Sequence, residues 1–165
     1  MIAFAIGIIL FSIDLLIVWY LLNGAIYVPT AMPAVHRMVK CTNAGPGKTC
    51  ADIGSGDGRL VIEMAKKGAV AHGYENNPLL VWKSRRKIQQ EGLQDRAFIH
   101  FKSFWNVDFS QFDAITVFGI THIMKRLWRK CQRELKPGAL IVSNAFQFAN
   151  VEPIAKDDGI YVYQK

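Results

Sequence analysis

Asp52, Gly54, Gly56, Gly58 and Glu75 are the residues of this chain whose types and spacing suit them to binding chemistry. An acidic residue stands two positions before a run of alternating glycines, in Asp52-Ile53-Gly54-Ser55-Gly56-Asp57-Gly58-Arg59, and a second carboxylate closes the next apolar stretch at Tyr74-Glu75. Glycine takes positive φ and lets a backbone pass close to a ligand with no Cβ in the way, so the loop is shaped for contact with a nucleoside. A dinucleotide turn uses Gly-x-Gly-x-x-Gly, which seats pyrophosphate on a helix N-terminus. Here the third glycine comes one residue early and Arg59 occupies its place. The bland alternative is a tight turn without a ligand, which needs neither carboxylate.

An acid followed by Gly-x-Gly-x-Gly resembles motif I of the class I S-adenosyl-L-methionine-dependent methyltransferases. In that family the loop cradles the methionine moiety, the first acid holds its amino group, and a carboxylate ending the second strand holds both ribose hydroxyls. Asp52 and Glu75 match those positions. The physical basis is that a carboxylate accepts two hydrogen bonds from a vicinal diol and complements an ammonium charge.

The elements that must carry these residues follow from periodicity and breakers. A short strand over 51–53 hands over to the loop, and a helix begins near Arg59 with Leu60, Val61, Met64 and Ala65 on one face. A second strand is expected over 70–74. Asn77-Pro78 opens a helix to about residue 90, ended by Gly92. Strands at 97–101 and 114–118 come next, then a helix over 121–135 stopped by Pro137-Gly138, and strands at 139–143 and 160–163. This alternation predicts an α/β fold, a Rossmann-like parallel sheet with helices on both faces. Ligands in such sheets sit beyond the carboxyl ends of the strands, where Gly54, Glu75, Ser103 and Gly119 all fall.

Before the sheet lies an unusually apolar start. Residues 1–22 carry one charge, Asp14, and no Lys or Arg precedes Arg37. About 20 apolar residues is the length a helix needs to cross a bilayer, and Trp19 and Tyr20 suit its interfacial belt. Residues 1–24 are therefore read as one N-terminal transmembrane helix, 25–48 as a linker and lead-in helix, and 49–165 as the nucleoside-binding domain. A cleaved signal peptide predicts a basic start and a shorter apolar core, and a buried soluble helix is the other alternative. The positive-inside rule places the domain on the cytoplasmic side of a single-pass anchor, or on the matrix side of a mitochondrial inner membrane. Asp14 is costly at mid-bilayer.

The formal net charge is +7, concentrated at Lys83, Arg85, Arg86 and Lys87 and again at Lys125, Arg126, Arg129, Lys130, Arg133 and Lys136. Solvated helix faces account for such runs, and for a tethered domain anionic lipid headgroups are the favoured partner. Nucleic acid is disfavoured because only Trp82 and Trp128 interleave with the basic residues, and both suit a core-facing position. Cys41, Cys50 and Cys131, with His36, His72, His100 and His122, have no metal-ligand spacing, so no metal is expected. Gly45-Pro46-Gly47-Lys48-Thr49 imitates a P-loop but lacks a glycine at Thr42 and precedes the strand, which makes it a turn.

A narrower resemblance covers nearly the whole chain. The apolar start, Tyr27-Val28-Pro29-Thr30, the Asp-Gly-Arg continuation at 57–59, Gly73-Tyr74-Glu75-Asn76-Asn77-Pro78 and Phe104-Trp105-Asn106-Val107 are together similar to the membrane-anchored protein-lysine methyltransferases. That family includes the mitochondrial enzymes for the adenine nucleotide translocase and the ATP synthase c-subunit, with prokaryotic relatives. It implies methyl transfer from S-adenosyl-L-methionine to lysine of a membrane protein. It also implies cofactor contacts from Tyr27, Asp52, Gly54, Ser55, Gly56, Gly58, Glu75, Asn76, Ser103, Phe104, Phe118 and Gly119. Two departures stand out: Ser103 replaces an acid at the expected adenine contact, and Ile120-Thr121-His122 is not the usual sequence after the fourth strand. The chain is shorter than the mitochondrial members, which leans towards a prokaryotic relative.

No residue announces itself as a base for the lysine proton. Thr121 and His122 are candidates, set against a helix N-cap and a surface histidine. Tyr27 and Thr30 are candidates to close the pocket, set against linker packing. An RNA or small-molecule methyltransferase, and a non-catalytic tethered binding module, remain as alternative functions.

Overall fold

The computed structural model describes residues 6–7, 10–12, 14, 27–119 and 121–165. The transmembrane helix expected over 1–22 lies mostly outside the described residues. Ile6, Gly7, Leu10, Phe11, Ser12 and Asp14 are helical and exposed, and no helix among the described residues is long and apolar enough to cross a membrane.

The lead-in segment forms α1 (Met32–Cys41), with Pro33 in its first turn and Val35, Met38 and Val39 at i, i+3 and i+4 facing inward. Then come β1 (Thr49–Ile53), α2 (Arg59–Lys66), β2 (Val70–Glu75), α3 (Pro78–Gln90), β3 (Ala97–Phe101), a 3₁₀ turn (Phe104–Asn106), β4 (Ala114–Val117), α4 (Thr121–Glu134), β5 (Leu140–Asn144), β6 (Ala155–Asp157) and β7 (Ile160–Gln164). The strands form one sheet in the order β3-β2-β1-β4-β5-β7-β6. β1 lies between β2 and β4, parallel to both, with Ile53 opposite Tyr74 on one side and Val117 on the other. The chain order reverses there, and the crevice at the carboxyl ends opens at that point.

Period-two alternation divides the strands between two cores. Cys50, Ala71, Ile99 and Val142 face α1, α2 and α3, while Ala51, Ile53, Ile115 and Ile141 face α4 and the loop carrying Val107, Phe109 and Phe112. Two expectations need correction. The sheet is not wholly parallel: β7 runs antiparallel to β5 and β6, because the link from Asn144 to Ile160 contains no crossover helix. β6 is an addition to the expected strands, since Ala155-Lys156-Asp157 is exposed throughout and has no apolar alternation. Its signal is Asp158-Gly159, both at positive φ, a two-residue hairpin turn that fixes Asp157 opposite Ile160.

On the α4 side, β2 carries Phe112 against its His72 and Tyr74 rings. There His72 Nδ1 lies 3.0 Å from His100 Nε2, and the two rings stack with Phe98 and Tyr74. One proton can be shared in that contact, so at least one ring must be neutral. Burial lowers both histidine pKa values, helped at His72 by His100 and at His100 by Arg85 and Lys102. A histidine depressed in the folded state contributes stability that is present above its unfolded pKa of about 6.5 and is lost as pH falls below it. The double substitution His72→Phe/His100→Phe is therefore expected to flatten the loss of urea-unfolding stability between about pH 7 and pH 5. An acid slope equal to that of wild type would contradict this reading.

Candidate nucleoside-binding site

At the end of β1 the chain turns through Gly54, Gly56 and Gly58, all at positive φ, before α2 begins at Arg59. Each glycine answers a different constraint. A Cβ on Gly54 would meet nothing within 4 Å, so this backbone faces open space at the mouth of the crevice. A Cβ on Gly56 would lie 2.7 Å from the Tyr27 ring, and one on Gly58 would lie 2.7 Å from Cβ of Ser84 on α3. The expectation that all three glycines stand open to a ligand is thereby narrowed to Gly54. Gly56 is roofed by the lead-in segment and Gly58 is pressed by a helix.

Glu75 holds the loop from the neighbouring strand. Its Oε2 accepts from the Gly56 amide at 2.8 Å, and its Oε1 accepts from the Asn76 and Asn77 amides, each at 2.8 Å. The Gly54 and Ser55 amides donate to the Tyr74 carbonyl, which locks the glycine turn to the end of β2. Asn77 then caps α3 with its side-chain oxygen. Ser55 is buried, and its Oγ has no hydrogen-bond partner among the described residues. The Ser55 side chain packs towards Gly73, where a Cβ would fall 2.6 Å from that Oγ.

Asp52 is buried between β1 and β4 and accepts from Thr116 Oγ1 at 2.7 Å. Burial pushes its carboxyl up to about 7; the Thr116 bond opposes this, and Glu75 and Asp57 reinforce it. Asp57 behaves differently. Burial alone would raise it, but bonds from Arg59 Nε at 2.8 Å and Lys87 Nζ at 2.5 Å hold it well below the usual carboxylate range. Arg59 also donates to the Thr30 carbonyl at 2.5 Å and to the Tyr27 hydroxyl at 3.5 Å. Among the described residues, no salt bridge includes Asp52 or Glu75. The crevice therefore carries two carboxyl groups without cationic partners, an arrangement suited to a positively charged nucleoside.

The remaining expected residues divide. Tyr27 is half-buried over Gly56, and Thr30 is buried, bound to Arg59 through its carbonyl. Asn76 is exposed beside Glu75. Ser103 begins the 3₁₀ turn after β3, next to Lys102, whose amide donates to the Glu75 carbonyl. Phe104 packs on Trp105, whose face carries Arg126 at 4.2 Å. Phe118 and Gly119 follow β4 directly; Phe118 is partly exposed against Phe146, and Gly119 is pressed by Met124. Thr121 and His122 are exposed on the first turn of α4. A cavity of about 600 Å³ between α1 and α2, with His36, Lys40 and Glu63 in its lining, includes none of these crevice residues.

Motif spacing does not point to Asp57 and Lys87 as a pair, or to Phe146. Lys87 reads in sequence as one more member of a basic run, and only its reach to Asp57 distinguishes it. Phe146 follows Ala145, a non-glycine at φ 65, in a turn held by Ser143 Oγ donating to the Phe146 carbonyl.

A family profile described as the ANTKMT methyltransferase domain matches residues 52–155. The human lysine N-methyltransferase of the ATP synthase c-subunit is 39% identical over 127 residues, which cover 77% of this chain and 54% of that protein. This chain thus spans about half the length of that relative. A protein-lysine N-methyltransferase of Saccharolobus islandicus is 33% identical over 147 residues, covering 83% of this chain and 91% of its own. Among solved structures, an RNA methyltransferase from Salinibacter ruber in complex with S-adenosyl-L-homocysteine superposes with TM-score 0.79 at 28% identity, over 83% of this chain and 93% of that one.

Gly58→Ala combines a left-handed backbone with a 2.7 Å contact to a helix, and is expected to cost roughly 2–4 kcal/mol in urea unfolding. Gly54→Ala, with space for its methyl but the same backbone strain, should cost about 1–2 kcal/mol. Equal losses at the two positions would refute this distinction.

Proposed function

The chain belongs to the ANTKMT methyltransferase domain family, and from that premise we propose that it is an S-adenosyl-L-methionine-dependent methyltransferase acting on lysine ε-amines of a membrane protein. The observation that carries the reading is the pair of carboxyl groups, Asp52 and Glu75, flanking the one glycine whose backbone opens into the crevice. Relatives named as lysine methyltransferases of the ATP synthase c-subunit and as a protein-lysine methyltransferase support the acceptor class. S-adenosyl-L-methionine would supply a methyl group already activated on a sulfonium.

This chain's residues then bind and align. Glu75 accepts from the ribose hydroxyls. A carboxylate has about four acceptor sites and three are taken by amides, which leaves one on Oε2, so a diol engaging both oxygens takes that site and replaces one of the two amide bonds to Oε1. Asp52 complements the ammonium group, and Gly54 lets the backbone approach. Asn76, Ser103 and Phe104 line the adenine side, and Phe118 and Gly119 form the wall towards the acceptor. Tyr27, braced by Arg59, closes the loop from the anchor side. The acceptor lysine starts protonated, with a reference pKa near 10.4, so the crevice must strip its water and pass on its proton. Thr121 and His122, exposed on the first turn of α4, are the candidates to take that proton.

The membrane part of the reading rests on the apolar run of residues 1–22 as a single-pass anchor with the domain on the cytoplasmic or matrix side. Three helical residues of that run, Ile6, Leu10 and Phe11, are 51%, 57% and 65% exposed, apolar surface that a bilayer would cover. The exposed basic residues of α3, Lys83 and Arg86, are the ones that anionic headgroups would then meet. A second reading, an RNA methyltransferase, is favoured by the similarity to the Salinibacter ruber protein.

Incubating the protein with labelled cofactor and a detergent extract of its own membranes is expected to place label in protein, and Glu75→Ala should lower that incorporation at least about a hundredfold. Label in RNA would select the second reading, and no transfer with intact cofactor binding would indicate a binding module. Asp52 gives a pH test. Its carboxyl is pushed up to about 7 without ligand, and an ammonium partner favours the ionised form. Cofactor affinity should therefore rise as pH increases through about 7, with proton uptake by buffer on binding. Asp52→Asn should bind more weakly and lose that dependence; an unchanged profile in titration calorimetry would remove Asp52 from the site.

A further inference from the structure

α3 presents an unusual outer stripe. Leu79 is 75% exposed and Trp82, expected to face the core, is 61% exposed, and they share that stripe with Lys83 and Arg86, whose guanidinium lies 5.5 Å from the Trp82 ring. Solvated helix faces do not place Leu and Trp outermost, whereas helices lying in a bilayer interface combine such apolar residues with lysine and arginine. The stripe has a defined place in the fold. α3 starts at Pro78, directly after Glu75, Asn76 and Asn77, so Leu79 stands beside the mouth of the crevice.

A second, independent feature points the same edge towards a membrane. Tyr27 lies over Gly56 at that mouth, only five residues after Leu22, where the apolar run ends. A fully extended chain of that length spans about 18 Å. Asp57 joins the two features, since Arg59, which holds Thr30, and Lys87 of α3 both bind it. Val28, 58% exposed, adds apolar surface beside Tyr27.

From this convergence we infer that the crevice mouth rests on an anionic bilayer surface, with Leu79 and Trp82 inserted at the level of the headgroups and Lys83 and Arg86 paired with lipid phosphates. The inference depends on the anchor reading and adds to it a fixed orientation. It restricts the acceptor to lysines held close to the membrane surface, because the mouth faces the bilayer and not the aqueous phase. Charge complementarity favours lipid over a neutral apolar partner, and the apolar pair at the N-terminal end of the stripe favours lipid over nucleic acid.

The test uses the full chain reconstituted into vesicles of brominated phosphatidylcholine, with and without phosphatidylserine. Flotation reports the anchor, and tryptophan quenching reports docking. The Trp82 share of emission, taken as wild type minus Trp82→Phe, is expected to be lost in the anionic vesicles. Lys83→Glu/Arg86→Glu should restore that share, and Leu79→Gln/Trp82→Gln should reduce methylation of membrane substrate while leaving cofactor affinity unchanged. Flotation with the Trp82 share unquenched overturns the inference and leaves the anchor standing. Absence of flotation in either lipid overturns the anchor reading and the inference with it. A Trp82 signal that responds to transfer RNA and not to anionic vesicles identifies a nucleic-acid surface and likewise overturns it.

Discussion

One carboxylate, that of Glu75, holds the loop of β1 and the turn of β2 in a single arrangement. It accepts backbone amides from Gly56 on one side and from Asn76 and Asn77 on the other. Each is a charge-assisted bond to a backbone amide at the rim of the sheet. Glu75 therefore shapes the mouth before any ligand arrives. On the proposed reading the same oxygens accept from a ribose, so that building the site and occupying it draw on one group.

The second tie is Asp57. Its charge is satisfied by Arg59 and Lys87, and through Arg59 it draws the lead-in segment over the loop. Asp57 is thus structural although it sits inside the motif, while Asp52, five residues earlier, is buried without a cation and titrates near neutrality. The contrast between two aspartates in one short stretch comes from their partners and not from their type. It separates the residue that braces the loop from the one that, on the proposed reading, meets a positive ligand.

Much of this was legible in the sequence. The positive φ of three glycines, the strand–loop–helix order and the two flanking carboxyl groups follow from residue type and spacing, and the family membership agrees with the motifs that suggested it. Features that depend on tertiary approach were not legible. Nothing in the order of residues says that Ser84 presses on Gly58, that Tyr27 roofs Gly56 or that Lys87 reaches Asp57. The antiparallel β7 escaped because a strand's direction depends on its connection, and β6 because an exposed edge strand needs no apolar alternation. Asp158-Gly159 did carry that information, as a hairpin turn.

Whether the crevice between Gly54 and Glu75 holds a sulfonium nucleoside is decided most directly by a crystal of the protein grown with S-adenosyl-L-homocysteine. Density is expected with the ribose on Glu75, the amino group on Asp52 and the backbone of Gly54 against the ligand. An empty crevice at saturating ligand, or a nicotinamide dinucleotide bound there in preference, would contradict it.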